Sequence, residues 1–248
     1  TTALTQRTIT VGAIAVSEDL CIKDLNGYWA QVLVKKGAAG EEEMPSEIEA
    51  VYMEKKMNAM QNQLTISDFQ GDTLSGVNNL SYYDGLLKIV DAGAAVDGNT
   101  GAVTVATGIS SSNVLDILDG MWESIPDNIS EADDLSLFVP ASVYKKYVVA
   151  LKNANLFHYS GDGEQVNLYG TNVALRSTVG LPGAAGTERM ILTRNSNIVI
   201  GMDGDADEDA MGVRLDPVTE KNIFFDVTFK RGVQVRFVDE VVEFTLVP

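Results

Sequence analysis

Apolar residues recur at helical spacing in two long stretches of the chain. The first follows Pro45, which suits the first turn of a helix, and its apolar residues keep an approximate 3.6-residue period, so a helix is predicted from Pro45 to about Thr65. The second begins after Ser112 and Asn113, both good helix caps, and is ended by Pro126. Its apolar positions are Val114, Ile117, Leu118, Met121, Trp122 and Ile125. This spacing predicts a helix over 113–126.

Alternating apolar and polar positions predict several strands. One is expected at Arg7–Val11 and another at Leu135–Val139, where Pro140 then introduces a helix that continues to about Leu151. Further short strands are predicted at 172–176, 189–193 and 197–201. A short helix is predicted at 20–29, and a hairpin or an extended loop at 94–108. Near the C-terminus, alternation over 223–229 and 233–237 predicts two strands joined by a turn at 230–232. Helices and strands mix without strict alternation, which indicates an α+β fold.

The composition excludes several classes of function. The 248 residues are 45% hydrophobic, enough for a sizeable core, and no apolar run approaches the ~20 residues of a membrane helix. Only 18 Lys and Arg face 35 Asp and Glu, so the formal net charge is −17. Tight nucleic-acid binding needs clustered cations and is therefore not expected. One Cys and one His leave little for a disulfide framework or a metal centre.

The reactive side chains do not form a recognisable catalytic pattern. His158 has Ser160 and Asp162 nearby in sequence, but triad partners meet through the fold, so this proximity predicts no catalysis. Cys21 lies among apolar residues with no histidine nearby in sequence, as expected of an inert thiol in the core. We predict a non-enzyme with no catalytic residues, no cofactor and no metal site. A pair of carboxylates acting as in a glycosidase stays open, because such pairs meet only in three dimensions.

Two loops carry the remaining candidate residues. The acidic loop places Asp203, Asp205, Asp207 and Asp209 at alternate positions, as calcium loops do, but Glu208 and Arg214 stand where that motif needs glycine and glutamate. A solvated loop is the expectation. Gly180, Gly183 and Gly186 do not make a phosphate-binding motif, and a flexible loop tip is predicted for them.

The order of the segments resembles a known family. The run RTITVGAIAVSEDLCIKDLNGYWAQ, the DFQGD at 68–72, the YYDGLLKIVDAG that follows and the helix at 113–126 resemble the first half of tailed-bacteriophage major capsid proteins. LSLFVPASVYKKYVVALKNANLF at 135–157 resembles that family's strand, proline and helix, and YGTNVALRSTVGLPG at 169–183 its strand and Pro-Gly loop. FFDVTFKRGVQVRFVDEVVEF resembles the closing strands.

The resemblance implies a Hong Kong 97-type capsid fold with two domains. The peripheral domain, with long strands and a long spine helix placed at 113–126, would comprise residues 1–132 and 221–248. The axial domain, a mixed sheet flanked by helices, would comprise 133–220. An N-terminal arm and an extended loop usually precede the first strand, where about six residues stand here. The resemblance therefore implies either that the arm and the loop lie before Thr1, or that the extended loop is reduced or moved to 37–40 or 94–108.

The resemblance also implies a function. The chain would be a structural, virion protein that self-assembles into the hexamers and pentamers of an icosahedral head, encloses double-stranded DNA without sequence-specific binding, and forms in the host cytoplasm. Its partners would be copies of itself, a portal, and scaffolding or decoration proteins, with no membrane. The candidate subunit contacts are Asp203, Asp205, Asp207, Asp209, Pro182 and Gly183. An encapsulin-like shell with protein cargo, or an acidic β-rich binding or adhesin module, are the alternatives.

Overall fold

The computed structural model describes residues 7–21, 46–99, 103–156, 167–202, 211–215 and 222–246. Their helices are α1 (Ser46–Gln70), α2 (Leu86–Asp91), α3 (Val114–Glu123) and α4 (Ala141–Asn153). Their strands are β1 (Gly12–Cys21), β2 (Val96–Asp97), β3 (Leu135–Pro140), β4 (Ala174–Thr178), β5 (Arg189–Arg194), β6 (Ile198–Met202), β7 (Met211–Leu215), β8 (Asn222–Val235) and β9 (Val242–Thr245). Two sheets with separate helices confirm the α+β class.

The chain divides into two compact units. The first comprises Thr1–Thr10, Asn62–Ile200 and Gly232–Pro248, and the second Val11–Gln61 and Gly201–Arg231. The five-stranded sheet of the first unit takes β2, β9, β5, β3 and β4 in that order, and so uses strands from all three ranges of the predicted domains. The peripheral and axial boundaries stay a prediction.

The five-stranded sheet is mixed, and its middle strand β5 is buried on both faces. β3 runs parallel to β4 and antiparallel to β5, which in turn runs antiparallel to β9. Since successive side chains of a strand point to opposite faces, Met190 and Leu192 enter a core with α3 and α4, whereas Ile191 enters a second core with α2. Two-sided burial explains why Met190, Ile191 and Leu192 in the middle of β5 are consecutive apolar residues.

The other sheet contains β1, β8 and β6 in that order, with β7 also paired to β8. β1 and β8 are antiparallel over the whole length of β1, from the pair Gly12 and Arg231 to the pair Cys21 and Asn222. In the second unit, Lys56 of α1 donates a hydrogen bond to Glu18 of β1 at 2.6 Å.

Both predicted long helices are confirmed, with shifted ends. The helix predicted from Pro45 is α1, and its 25 residues make it the longest helix among the described residues. It stops at Gly71, whose N–H still bonds to the carbonyl of Ser67 at 2.8 Å. The helix predicted over 113–126 is α3, which has ten residues. Asn113 is its cap residue, but the Asn113 side chain fastens the preceding turn by accepting from Ser110 N–H at 2.7 Å.

Several predicted boundaries need correction. The strand expected at Arg7–Val11 begins instead at Gly12, and the turn expected at 230–232 is absent because β8 continues through it for 14 residues. Lys230 and Arg231 pair with Ala13 and Gly12, so β1 satisfies backbone groups that a turn would have left free. In 94–108, where a hairpin or an extended loop is predicted, the described residues contain the two-residue strand β2, which pairs with β9, and residues 100–102 lie outside the described residues. Leu20 and Cys21, the first two residues of the helix predicted at 20–29, belong instead to β1, and the residues from 22 onward lie outside the described residues.

Candidate subunit-contact surface

The predicted contact residues fall into two groups. Asp203, Asp205, Asp207 and Asp209 lie outside the described residues. Pro182 and Gly183 lie between β4 and β5, where both are partly buried. The Gly183 carbonyl accepts a hydrogen bond from the Ser142 hydroxyl at 2.9 Å, and a Cβ on Gly183 would lie 2.9 Å from the Cβ of Pro140. This segment therefore packs against the start of α4, and its role as a subunit contact stays a prediction.

The segment 180–188 is anchored at both ends. Gly180 is buried, and a Cβ at this position would lie 2.3 Å from the ring of Phe69. At the other end Glu188 is 1% exposed and accepts from Lys146 Nζ at 3.2 Å and from Gly186 N–H at 2.7 Å. The expectation of a flexible tip is therefore wrong for Gly180, where close approach of a neighbouring ring requires glycine.

The reactive side chains noted in the sequence give no site in the part of the chain that the structure describes. His158, Ser160 and Asp162 lie outside it, and Cys21 is the last residue of β1. No group of three His, Cys, Asp or Glu side chains among the described residues could hold a metal ion. None of the helices searched there is long and apolar enough to cross a membrane.

A closed loop joins α1 to α2 and explains the GD and DG pairs in the sequence. We define the closed loop as residues 71–85. At its base the Gly85 N–H donates to the Gly71 carbonyl at 2.8 Å. A Cβ on Gly85 would lie 2.5 Å from Gly71 N, and a Cβ on Gly71 would lie 2.5 Å from the Tyr83 carbonyl oxygen. The two backbones can approach this closely only because neither residue has a side chain.

The aspartates next to these glycines share one lysine. Lys88 Nζ lies 2.6 Å from an oxygen of Asp72 and 2.7 Å from an oxygen of Asp84. The same Asp84 oxygen accepts the Thr73 N–H at 2.9 Å, and Asp72 accepts the Leu74 N–H at 2.8 Å. These bonds tie the start of the loop to its end and to the first turn of α2.

The electrostatics of this cluster favour its charged form. Hydrogen bonds from Lys88 and from the Leu74 N–H lower the pKa of Asp72. Partial burial acts to raise the pKa of Asp84, but hydrogen bonds from Lys88 and Thr73 outweigh it, so that this pKa is also lowered. Both aspartates in turn raise the pKa of Lys88. The cluster is therefore ionised at neutral pH.

Lys88→Met is expected to raise the pKa values of Asp72 and Asp84. A carboxyl group whose pKa is lowered by folding stabilises the fold at pH values above its ordinary pKa of 3.8, and this stabilisation is lost as the pH falls through the pKa of the folded state. The wild-type cluster should therefore open only in acid below pH 3.8. NMR titration of the two side-chain carboxyls should give midpoints below 3.8 in the wild type and higher midpoints in Lys88→Met. Unchanged midpoints in the variant would show that Lys88 does not hold the loop.

The outer part of the closed loop was not recognised from the sequence as a candidate surface. Its Gly, Asn and Asp residues indicate a loop but do not say which side chains remain exposed. In the structure the exposed fraction of Leu74 is 87%, the highest among the large hydrophobic residues that the structure describes. Leu74 lies in a turn whose hydrogen bonds fix the backbone on either side of it, so its exposure is a property of the folded loop.

The fold has counterparts among solved structures. No protein-family model matches the chain, and no curated protein matches it by sequence. A chain of the satellite phage P4 procapsid including the size determination (Sid) protein matches with a TM-score of 0.61 and 12% identity, over 100% of this chain and 74% of that chain. A capsid chain of the empty GTA particle matches with a TM-score of 0.58 and 14% identity, over 100% of this chain and 79% of that chain.

The capsid of Myoviridae phage XM1 matches with a TM-score of 0.52 and 13% identity, over 96% of this chain and 74% of that chain. All three are proteins of capsid particles. The chain therefore has the phage major capsid protein fold, as predicted from the order of its segments.

Proposed function

We propose that this protein is the major capsid protein of a tailed bacteriophage. The observation that carries the proposal is the likeness of the whole chain to the P4 procapsid chain, with a TM-score of 0.61. In this proposal copies of the chain form hexamers and pentamers that close into an icosahedral head around double-stranded DNA. The fold is of the Hong Kong 97 type, the protein has a structural and not an enzymatic role, and it resides in the virion after assembly in the host cytoplasm.

The charge of the chain supports enclosure of DNA without binding to it. A net charge of −17 repels phosphates, so packaged DNA would not adhere to the shell wall. The same charge opposes contact between copies, so the contacts must form where few unpaired carboxylates lie. A portal and scaffolding or decoration proteins would complete the particle.

The proposed domains follow the prediction, with one change. Residues 133–220 supply three strands of the five-stranded sheet and the helix α4, which fits the proposed axial domain. Residues 1–132 contain both α1 and α3. We assign the spine to α1, because α1 has 25 residues and α3, for which the spine was predicted, has ten.

Assembly of the purified full chain tests the proposed function. We expect negative-stain electron microscopy to show rings or closed, thin-walled particles of uniform diameter, and sedimentation to show species far heavier than the 26.7 kDa subunit. A stable monomer at high concentration would contradict the proposal, and glycan binding by that monomer would favour an adhesin module. If closed particles form, their contents distinguish a phage capsid from an encapsulin-like shell, since an encapsulin-like shell would carry protein cargo in place of DNA.

A further inference from the structure

We infer that the tip of the closed loop, residues 73–83 with Leu74 as the main contact, docks onto a neighbouring copy of this chain. This inference rests on the proposed function, because it names one of the contacts that would hold copies together in a shell. It concerns residues other than the candidates Asp203, Asp205, Asp207, Asp209, Pro182 and Gly183. Three properties carry it: the exposed apolar side chains of the loop, its fixed backbone, and the lack of charge at its tip, residues 73–83.

The first property is exposed apolar surface concentrated in one short loop. Leu74 is 87% exposed, Val77 55% and Tyr82 39%. Single exposed apolar residues are ordinary on a protein surface, but here three lie within nine residues of one loop. A leucine with most of its surface in water gains free energy when a partner covers it.

The second property is the fixed backbone beneath these side chains. The base of the loop is closed by the Gly85 N–H to Gly71 carbonyl bond at 2.8 Å and by the Asp72 N–H to Leu80 carbonyl bond at 2.8 Å. The Ser67 hydroxyl of α1 lies 3.0 Å from the Asn79 carbonyl oxygen of the loop and 3.0 Å from the Gln63 carbonyl oxygen of its own helix, and shares its hydrogen between them. A loop already held in one conformation loses little conformational entropy on binding, so the exposed side chains are presented ready for contact.

The third property identifies the partner. Residues 73–83, TLSGVNNLSYY, contain no ionisable acid or base apart from the two tyrosines, and the flanking Asp72 and Asp84 both pair with Lys88. An anionic membrane or a nucleic acid would be repelled by a chain with a net charge of −17. A second copy carries the same charge, and two such copies can approach most closely where neither presents unpaired carboxylates. The uncharged tip meets this requirement.

Substitution at Leu74 tests the contact in the full chain. We expect Leu74→Asp to reduce the yield of sedimentable particles by about tenfold or more, since it places a charge in a contact between copies. Leu74→Met, which keeps an apolar side chain, should assemble like the wild type. The matched control is Val149→Asp, which adds the same charge at another exposed apolar residue, 45% exposed on α4, and should assemble normally. Circular dichroism should show that all three variants fold.

The outcomes separate this inference from the proposed function. If the wild type forms no particles, the proposed function fails. If the wild type and Leu74→Asp both form particles in equal yield, only the inference about Leu74 fails. Equal loss in Leu74→Asp and Val149→Asp would show a general sensitivity to added charge and would also contradict the inference.

A cross-linking measurement tests the contact without removing it. A photoreactive benzoylphenylalanine placed at position 74 should, in assembled particles, give a covalent dimer of this chain on a denaturing gel. Failure to cross-link in intact particles, or cross-linking only to a different protein, would overturn the assignment of a second copy as the partner.

Discussion

Gly85→Ala is expected to destabilise the protein by about 3 kcal/mol. The new Cβ would lie 2.5 Å from Gly71 N and 2.8 Å from the carbonyl carbon and oxygen of Phe69. All of these are backbone atoms, so no side-chain rotation can relieve the overlap. The backbone of Gly85 itself is extended, with φ −84° and ψ 175°, a conformation that alanine adopts readily. The expected loss is therefore steric.

Gly76→Ala in the same loop is the matched control. A Cβ on Gly76 would meet nothing within 4 Å, so this variant should unfold with the wild-type free energy or slightly more, because alanine reduces the entropy of the unfolded chain. Urea denaturation of dissociated subunits measures both variants. If the two variants were equally stable, the tight base of the closed loop would be refuted.

Asn197→Ala is expected to destabilise the protein by about 2 kcal/mol, because a buried amide serves three groups at once. Asn197 is 1% exposed, and its side-chain nitrogen donates to the Phe237 carbonyl at 2.7 Å and to the Thr193 hydroxyl at 3.0 Å. Its side-chain oxygen accepts the Phe237 N–H at 2.8 Å. Alanine would leave these three partners without their bonds to the amide.

The control for this variant lies two residues away. Asn195 belongs to the same short turn, Asn195–Asn197, but is exposed. Asn195→Ala should therefore change the free energy of unfolding by less than about 0.5 kcal/mol. A difference of less than about 1 kcal/mol between the two variants in urea denaturation would contradict the bridging role of Asn197.

Local signals in the sequence predicted most of the elements correctly. Pro140 stands at the boundary of β3 and α4, because its fixed φ and missing N–H suit the first turn of a helix. The strands predicted near 172–176, 189–193 and 197–201 are β4, β5 and β6, and no end differs from its predicted position by more than two residues. Such signals come from residues close in sequence, so they fix the type of an element better than its ends.

The errors occurred where a distant segment decides the outcome. Lys230, Arg231 and Gly232 have the composition of a turn, but Ala13 and Gly12 of β1, near the other end of the chain, pair with the first two of them and keep β8 extended. Gly180 was assigned to a flexible tip, whereas Phe69 lies against it and excludes any side chain. Neither partner could be found by inspecting the neighbouring sequence.

The α+β class, most of the elements, the acidic character and, through the order of the segments, the capsid-protein fold all followed from the amino-acid sequence alone. Periodicity, capping and charge are properties of neighbouring residues or of totals, so they can be read without coordinates. Only the tertiary structure brought Gly71 against Gly85, joined Asp72 and Asp84 through Lys88, and left Leu74 exposed at the end of the loop they close. Those contacts depend on how the chain returns on itself in space, which no local pattern specifies.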